Sequence, residues 1–154
     1  MELKTGTVES TLDDKGRVSI PLRFRDRYPG ELVITWGMQP SAWIMTPEVW
    51  GQVSAKLTNL DFTVEERLFI EHRYINQAQV MELDKAGRIA IPPTVRRWAR
   101  LTKECTVVSA ENHLEIWDTE SYFAYLTEKE PLFQGTLAQG AMNKMGSIRL
   151  FKLD

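Results

Sequence analysis

The chain has 154 residues, 43% of them hydrophobic and 26% charged, which is the size of one compact domain and the composition of a globular protein. The single Cys105 excludes an intrachain disulfide and a cysteine-based metal cluster, and no apolar run approaches the roughly 20 residues of a membrane helix. Without a secretory signal we expect a soluble, cytoplasmic protein. The net charge of −2 does not by itself indicate a nucleic-acid partner.

The first elements are predicted from turn residues and alternation. Asp13 to Gly16 is typical of a tight turn, since Asp bonds backbone donors ahead of it and Gly adopts positive φ. From Arg17 to Ile20 apolar and polar residues alternate, which predicts a half-buried strand. Pro21 then ends the strand and opens a short helix. Further strands and a hairpin follow in the segment 32–45.

Three later helices have recognisable starts. Thr46-Pro47-Glu48 supplies a cap and a proline at the first helical position, and Thr63-Val64-Glu65-Glu66 matches a capping box. Asp118-Thr119-Glu120 begins a third helix. From about Pro131 to the end the pattern is loose, so we expect a tail that docks on the body or on a neighbouring subunit.

An internal repeat is the strongest signal in the sequence. Leu12-Asp13-Asp14-Lys15-Gly16-Arg17-Val18-Ser19-Ile20-Pro21 returns 71 positions later as Leu83-Asp84-Lys85-Ala86-Gly87-Arg88-Ile89-Ala90-Ile91-Pro92. Arg25 and Arg96 also coincide, and with a small shift the match continues through the following strands. One unit of strand, turn, strand, short helix, strand, hairpin, strand and helix is therefore used twice.

Basic residues concentrate beside the two turns. More than half of the 19 Lys and Arg residues lie in two short segments: Lys15, Arg17, Arg23, Arg25 and Arg27, then Lys85, Arg88, Arg96, Arg97, Arg100 and Lys103. Asp26 is the one acid within these spans. Because charges are screened beyond about 8 to 10 Å, a local basic face can dock on DNA although the chain as a whole is acidic.

The doubled Asp-x-x-Gly-Arg turn has two interpretations. In the first, Asp13 with Arg17 and Asp84 with Arg88 form ion pairs that only stabilise the turn, each worth under about 1 kcal/mol if exposed. In the second, the arginine is presented to DNA, where its planar fork can bind a phosphate or the O6/N7 edge of guanine. The duplication, with adjacent arginines and almost no acid nearby, favours nucleic acid.

Residues suited to catalysis are few. His72 and His113 have no metal-ligand spacing, and Cys105 begins an apolar strand, so we expect structural or surface roles for all three. Gly135 and Gly140 have P-loop spacing without the following Lys and Ser or Thr. We therefore expect no enzyme, no cofactor, no metal and no small-molecule substrate.

Five tryptophans recur at strand and helix positions: Trp36, Trp43, Trp50, Trp98 and Trp117. Large aromatic side chains at such positions are more simply core or subunit interface than a platform for stacking bases. They favour oligomerisation.

The doubled turn is where the sequence resembles a known family, MraZ, a bacterial member of the SpoVT/AbrB-like DNA-binding superfamily. The resemblance rests on both ten-residue copies with Gly6, Arg25, Arg96, the segment 101–104 and the segment 115–118, and it covers about residues 1 to 130. It implies an α+β fold of two tandem half-repeats interleaved as a swapped-hairpin β-barrel with flanking helices. The implied boundaries are 1–60 for the first repeat, 61–79 for a connecting helix, 80–130 for the second repeat and 131–154 for the tail.

The family resemblance also implies a function. It implies a transcriptional regulator that binds short direct repeats upstream of the division and cell-wall gene cluster, is nucleoid-associated and forms a ring-shaped homo-oligomer. The implied DNA-binding residues are Arg17, Arg25, Arg88, Arg96 and Arg97, and the basic segments add Lys15 and Lys85 to the predicted DNA-binding residues. The residues expected to shape the turns are Asp13, Gly16, Asp84 and Gly87. Asp26 stands where the second copy has Arg97, a departure from the superfamily pattern.

Two other functions are compatible with these residues. An AbrB-type antitoxin would bind DNA with one end and a toxin with the other, although such chains usually carry a single repeat. A structural ring or adaptor would keep the Trp-rich interface and show no salt-sensitive DNA binding.

Overall fold

The structure is a computed structural model that describes residues 3–136. Within this range the strands are β1 (Gly6–Thr11), β2 (Arg17–Ser19), β3 (Leu32–Trp36), β4 (Ala42–Met45), β5 (Gln79–Met81), β6 (Arg88–Ala90), β7 (Glu104–Ser109) and β8 (Leu114–Asp118). The helices are α1 (Leu22–Arg25), α2 (Pro47–Thr58), α3 (Val64–Ile70), α4 (Pro93–Ala99) and α5 (Thr119–Thr136). A π-helical turn, Glu71–Ile75, continues α3. The protein is of the α+β class, as predicted.

The predicted helix starts are confirmed in detail. The Thr46 side chain accepts a hydrogen bond from the Val49 amide, with Pro47 at the first helical position of α2. At α3, Thr63 and Glu66 form a reciprocal capping box, in which each side chain accepts from the backbone N–H of the other residue. These caps satisfy amide groups that the first helical turn leaves without partners.

Two boundaries differ from the sequence expectation. Helix α5 continues through Pro131 to Thr136, the last residue that the structure describes, so the chain is still helical where a loose tail was expected to begin. A proline lacks only one N–H and can be accommodated within a long helix, usually with a bend. Strand β5 begins at Gln79, the last residue assigned to the connecting helix. The rest of the predicted tail lies outside the described residues.

The main sheet interleaves the two copies of the repeat. Its strand order is β1-β7-β8-β4-β3-β5, and every pair is antiparallel. Strand β1 of the first copy pairs with β7 of the second, and β5 of the second copy pairs with β3 of the first. If each strand is replaced by its counterpart in the other copy, the same order is read backwards. The two copies are therefore related by a pseudo-twofold axis between β4 and β8.

A separate two-stranded sheet also joins the copies. Strands β2 and β6 pair antiparallel, with Val18 opposite Ile89, Arg17 opposite Ala90 and Ser19 opposite Arg88. Val18 and Ile89 are fully buried in a core with the apolar residues of the main sheet and of the short helices. Each copy thus contributes half of this small sheet and half of the core beneath it.

The interleaving leaves β1 and β5 as the edges of the main sheet. Among the described strands no pair joins these edges, so the closed barrel implied by the resemblance is not confirmed. The chain divides into two compact units, one that ends at Thr119 and one that begins at Glu120. Both Asp-x-x-Gly-Arg turns belong to the first unit. The repeat boundaries given above remain a prediction.

Candidate nucleic-acid interface

The first turn is closed by a single carboxylate. Asp13 Oδ1 accepts from the backbone amides of Lys15 and Arg17, both at 2.9 Å, and Asp13 Oδ2 accepts from Arg17 Nε at 2.7 Å. The backbone closes the same turn, with the Gly16 amide donating to the Asp13 carbonyl at 3.0 Å. Gly16 has φ of 77°, a conformation that residues with a Cβ rarely adopt.

The second turn repeats this arrangement bond for bond. Asp84 Oδ1 accepts from the amides of Ala86 and Arg88 at 2.9 Å, and Asp84 Oδ2 accepts from Arg88 Nε at 2.8 Å. Gly87 also has φ of 77°. In both turns the aspartate accepts the closing bonds and the glycine adopts positive φ.

Pairing of β2 with β6 brings the two motif arginines to one surface. Because Val18 and Ile89 face the core, their neighbours on the strands face the opposite side. We call the four residues of that side, Arg17, Ser19, Arg88 and Ala90, the arginine face. Arg17 and Arg88 are diagonal neighbours on it, and diagonal positions in an antiparallel pair lie about 7 to 8 Å apart.

Each motif arginine uses only part of its guanidinium within the turn. The Arg17 side chain keeps 28% of its surface exposed and the Arg88 side chain 33%. Within residues 3–136, Nε bonds the aspartate while no hydrogen bond involves the Nη atoms. The ion pairs of the structural interpretation are therefore present, and they leave the outer edge of both forks available to a ligand.

The aspartates are held in their charged form by the turns. The Arg17 backbone N–H, assisted by its side chain and by the Lys15 amide, lowers the pKa of Asp13 below its usual value. The Arg88 backbone N–H does the same for the pKa of Asp84. An ionised aspartate fixes the direction of its arginine, which prepares that arginine to meet a ligand.

Three other residues predicted to bind DNA, Lys15, Lys85 and Arg97, lie outside the arginine face. Lys15 and Lys85 are exposed on the two turns themselves. Arg97 is exposed on α4, where it lines a pocket of about 420 Å³ with Arg100, Trp36 and Trp98. Lysines therefore flank the face directly, whereas Arg97 faces the hairpin between β3 and β4.

Arg25 and Arg96 each reach the turn of the opposite copy. A Cβ built on Gly16 would lie 2.9 Å from Cζ of Arg96. A Cβ built on Gly87 would meet Cζ, Nε and Nη2 of Arg25 more closely still. The recurrence of these arginines in the repeat was visible in the sequence, but their crossing between copies was not.

Arg27, part of the basic segment, has a structural role that the sequence did not reveal. Its guanidinium donates to the carbonyls of Lys4 at 3.0 Å and Ala110 at 3.2 Å, to the carbonyl of Glu111, and to Ser109 Oγ at 3.3 Å. It thereby fastens the turn after α1 to the hairpin between β7 and β8. A basic residue in these segments therefore need not be a nucleic-acid contact, because Arg27 bonds groups of its own chain.

Of the groups considered for catalysis, Cys105 and His113 have structural contacts and His72 is exposed. Cys105 is fully buried, and burial raises the pKa of its thiol to about 11, so it is a core residue as predicted. His113 contacts Glu115 at 2.8 Å and packs on Trp43. His72 is exposed in the π-helical turn.

The tryptophans are buried or half-buried. Trp117 is nearly fully buried, while Trp36 and Trp98 stack at 4.9 Å with Arg73 over both rings. Over residues 3–136 no cluster of His, Cys, Asp and Glu side chains is placed to hold a metal ion. In the same residues no helix is both long and apolar enough to cross a membrane.

Comparison with protein families agrees with the doubled geometry. The family model for the MraZ protein, whose description suggests an antitoxin-like role, matches residues 3–71 and again residues 74–139. Each match contains one Asp-x-x-Gly-Arg turn. Because the two matches together cover most of the sequence, the chain belongs to the MraZ family, a family of the SpoVT/AbrB-like fold.

Proposed function

We propose that the chain is a sequence-specific, double-stranded DNA-binding transcriptional regulator and that the arginine face is its contact with DNA. One observation carries the proposal: β2 and β6 pair so that Arg17 and Arg88, each aimed by its own aspartate, stand side by side on an exposed surface. Membership of a regulatory family supports the same function.

The two-stranded architecture of the site suits the major groove. A two-stranded β-ribbon can enter that groove, and arginine bound through two N–H groups is its commonest specific contact with guanine. The ribbon of β2 and β6 carries two such arginines on its outer side, with small Ser19 and Ala90 beside them. Neither neighbour obstructs the approach of a base edge.

We assign roles by position. Arg17 and Arg88 read base edges, while Lys15 and Lys85 on the exposed turns bind flanking phosphates. Arg97, farther along α4, adds a phosphate contact. Asp13, Gly16, Asp84 and Gly87 shape the turns and do not touch DNA. No catalytic activity and no cofactor are part of this proposal.

The finer expectations of the resemblance enter here as proposals. We infer that the two copies interleave as swapped hairpins, which the exchange of β1 and β5 between copies supports. The targets are short direct repeats upstream of the division and cell-wall gene cluster, and the regulator acts in the cytoplasm at the nucleoid. The protein assembles as a ring-shaped homo-oligomer, so several arginine faces can engage neighbouring repeats.

The DNA upstream of the protein's own gene is the first probe. Binding to this labelled duplex should weaken as salt rises from about 50 to about 200 mM, because contacts with phosphates displace counterions. The Arg17→Ala/Arg88→Ala double variant should lose most of the preference for this duplex over a scrambled one. Lys56→Ala removes an exposed positive charge from α2 and should bind like the parent.

A parent protein that binds both duplexes equally, or a double variant that discriminates like the parent, would contradict the assignment. Circular dichroism and light scattering on each variant separate loss of contact from loss of fold or assembly. No DNA binding at any salt concentration would favour the structural ring or adaptor.

The assembly is tested with duplexes that carry one, two and three sites. Linked contacts can raise avidity by about 10² to 10⁴, provided that the spacing lets them engage together. Sites repeated at about 10 to 10.5 base pairs face one side of the helix, so an insertion of about five should reduce the gain. Equal affinity for all duplexes would show that one arginine face acts alone.

The antitoxin is the second candidate, favoured by the description of the matching family. It predicts a protein partner encoded beside this chain whose toxicity the chain suppresses. Co-expression with the neighbouring gene product tests it, because a transcriptional regulator without this role would form no stable complex with that product.

A further inference from the structure

The two short helices cross over in their contacts. Arg25 on α1 of the first copy lies against Gly87 in the turn of the second copy, and Arg96 on α4 lies against Gly16 in the turn of the first. Both arginines are half-buried, and both glycines are buried. The strands confirm the exchange: the Ile20 amide donates to the Gly87 carbonyl at 2.9 Å and the Ile91 amide to the Gly16 carbonyl at 2.8 Å.

We propose that Arg25 and Arg96 are positioning residues, each of which holds the DNA-contacting turn of the opposite copy in place. This proposal rests on the proposed DNA-binding function and changes the role of two residues that the resemblance assigned to DNA contact. Arg25 acts on Arg88 through Gly87, and Arg96 acts on Arg17 through Gly16.

The local geometry favours a positioning role over a phosphate contact. Arg25 Nε donates at 2.7 Å to the carbonyl of Ile20, the residue that follows β2 in the same copy. This bond directs the guanidinium towards the ribbon of β2 and β6. The flat group then covers Gly87, where any side chain would collide with it. Glycine is therefore required at position 87 for two reasons: the backbone has positive φ, and Arg25 occupies the space that a Cβ would need.

We call the contact of Arg25 with Gly87, and that of Arg96 with Gly16, a clamp. Each clamp limits the motion of the arginine face. Apart from the arginines, each turn is held by bonds within five consecutive residues, from Asp13 to Arg17 and from Asp84 to Arg88, and by one backbone bond from the opposite copy to its glycine. The clamp adds a contact from outside the turn. A base contact requires the donor to be fixed within a fraction of an ångström, so loss of the clamp weakens binding without removal of any DNA contact.

Double-mutant cycles on DNA affinity test the crossing directly, with the full chain and the duplex from upstream of its gene. We expect Arg25→Ala to weaken binding on the order of tenfold alone, a typical coupling between residues in contact. In an Arg88→Ala background the same change should cost less than about twofold, because its target is gone. In an Arg17→Ala background its full effect should remain. Arg96→Ala should cost little in an Arg17→Ala background and keep its full effect in an Arg88→Ala background.

Two readouts distinguish a clamp from a phosphate contact. Loss of a phosphate contact lowers the slope of log affinity against log salt by about 1, whereas Arg25→Ala should leave that slope unchanged. Arg25→Lys keeps the positive charge but not the flat group, so it should resemble Arg25→Ala. Since Lys remains able to bind phosphate, it also serves if the alanine variant fails to fold.

The outcomes are separable. Parent-like binding by both Arg17→Ala and Arg88→Ala would overturn the proposed function. Weakened binding by those variants, with Arg25 coupled to Arg17 or to neither arginine, would overturn the clamp alone. A reduced salt slope or rescue by Arg25→Lys would also overturn it and would return Arg25 to the DNA surface.

Discussion

The two copies of the repeat share one backbone geometry but carry different charges. The turns make matching hydrogen bonds, yet Asp14 of the first corresponds to Lys85 of the second, and Asp26, directly after α1, corresponds to Arg97. The second copy therefore presents the more positive surface. A site that is symmetric in shape and asymmetric in charge can favour one orientation on DNA.

The copies also make the same contact with different chemistry. Arg27, in the turn after α1, bonds carbonyls of the hairpin between β7 and β8. Its counterpart Trp98 on α4 donates from Nε1 to the Gln39 carbonyl of the hairpin between β3 and β4 at 3.1 Å. Arg27 and Trp98 occupy equivalent positions, so each reaches the hairpin of the other copy. The guanidinium makes several hydrogen bonds there, whereas the indole makes one.

The largest expected difference follows from this contact. Arg27→Ala leaves several carbonyls without a donor and should lower the free energy of unfolding by about 3 kcal/mol, whereas Trp98→Phe removes one neutral bond and should cost about 1 kcal/mol. Urea unfolding at one fixed protein concentration measures both. An equal cost would show that packing, not hydrogen bonding, holds the helices to the hairpins.

The turn glycines give the next comparison. Gly16→Ala and Gly87→Ala force a Cβ into positive φ and against an arginine, which should cost about 1 to 3 kcal/mol each. Gly87→Ala should be the worse because Arg25 lies nearer and is bonded to Ile20. Thermal unfolding should rank them in this order. Gly51→Ala, in open space on α2, is the control and should be neutral or stabilising.

Charge exchange tests the asymmetry itself. Asp14→Lys gives the first turn a lysine where the second has one, and it should tighten DNA binding by about 0.5 to 1 kcal/mol at low salt. The gain should disappear at high salt. Glu65→Lys makes the same change of charge on α3 and should have a smaller effect. Equal gains would mean that net charge, not the turn, controls affinity.

The smallest expected effect is a dependence on pH that both turns share. Because hydrogen bonds lower the native pKa of Asp13 and Asp84 below 3.8, they stabilise the fold above that pH. Stability is lost as the pH falls through 3.8 towards the native value. Asp13→Asn should reduce this acid sensitivity, and Asp84→Asn should do so equally. A plot of melting temperature from about pH 6 to 3 would show the change.

Local features were predictable from the sequence, whereas pairing across the molecule was not. The caps at Thr46 and Thr63 and the Asp13 turn depend on residues within four positions, so their chemistry is visible in the chain. The clamp of Arg25 on Gly87 joins distant positions and depends on the exchange of strands. An offset of 71 shows that Arg25 and Arg96 are equivalent, but it does not show that each acts on the other copy.

The exchange of strands also has a consequence for synthesis of the protein. Strand β1 has its partner in β7, and Thr11 pairs with Glu104, so the first strand must wait for most of the chain before it can be paired. Contacts between such distant residues make folding slow and leave sheet edges open to aggregation in the meantime. The fold cannot be completed while the second copy is still within the ribosome, and a nascent chain stalled before Glu104 would expose β1 to chaperones or to other chains.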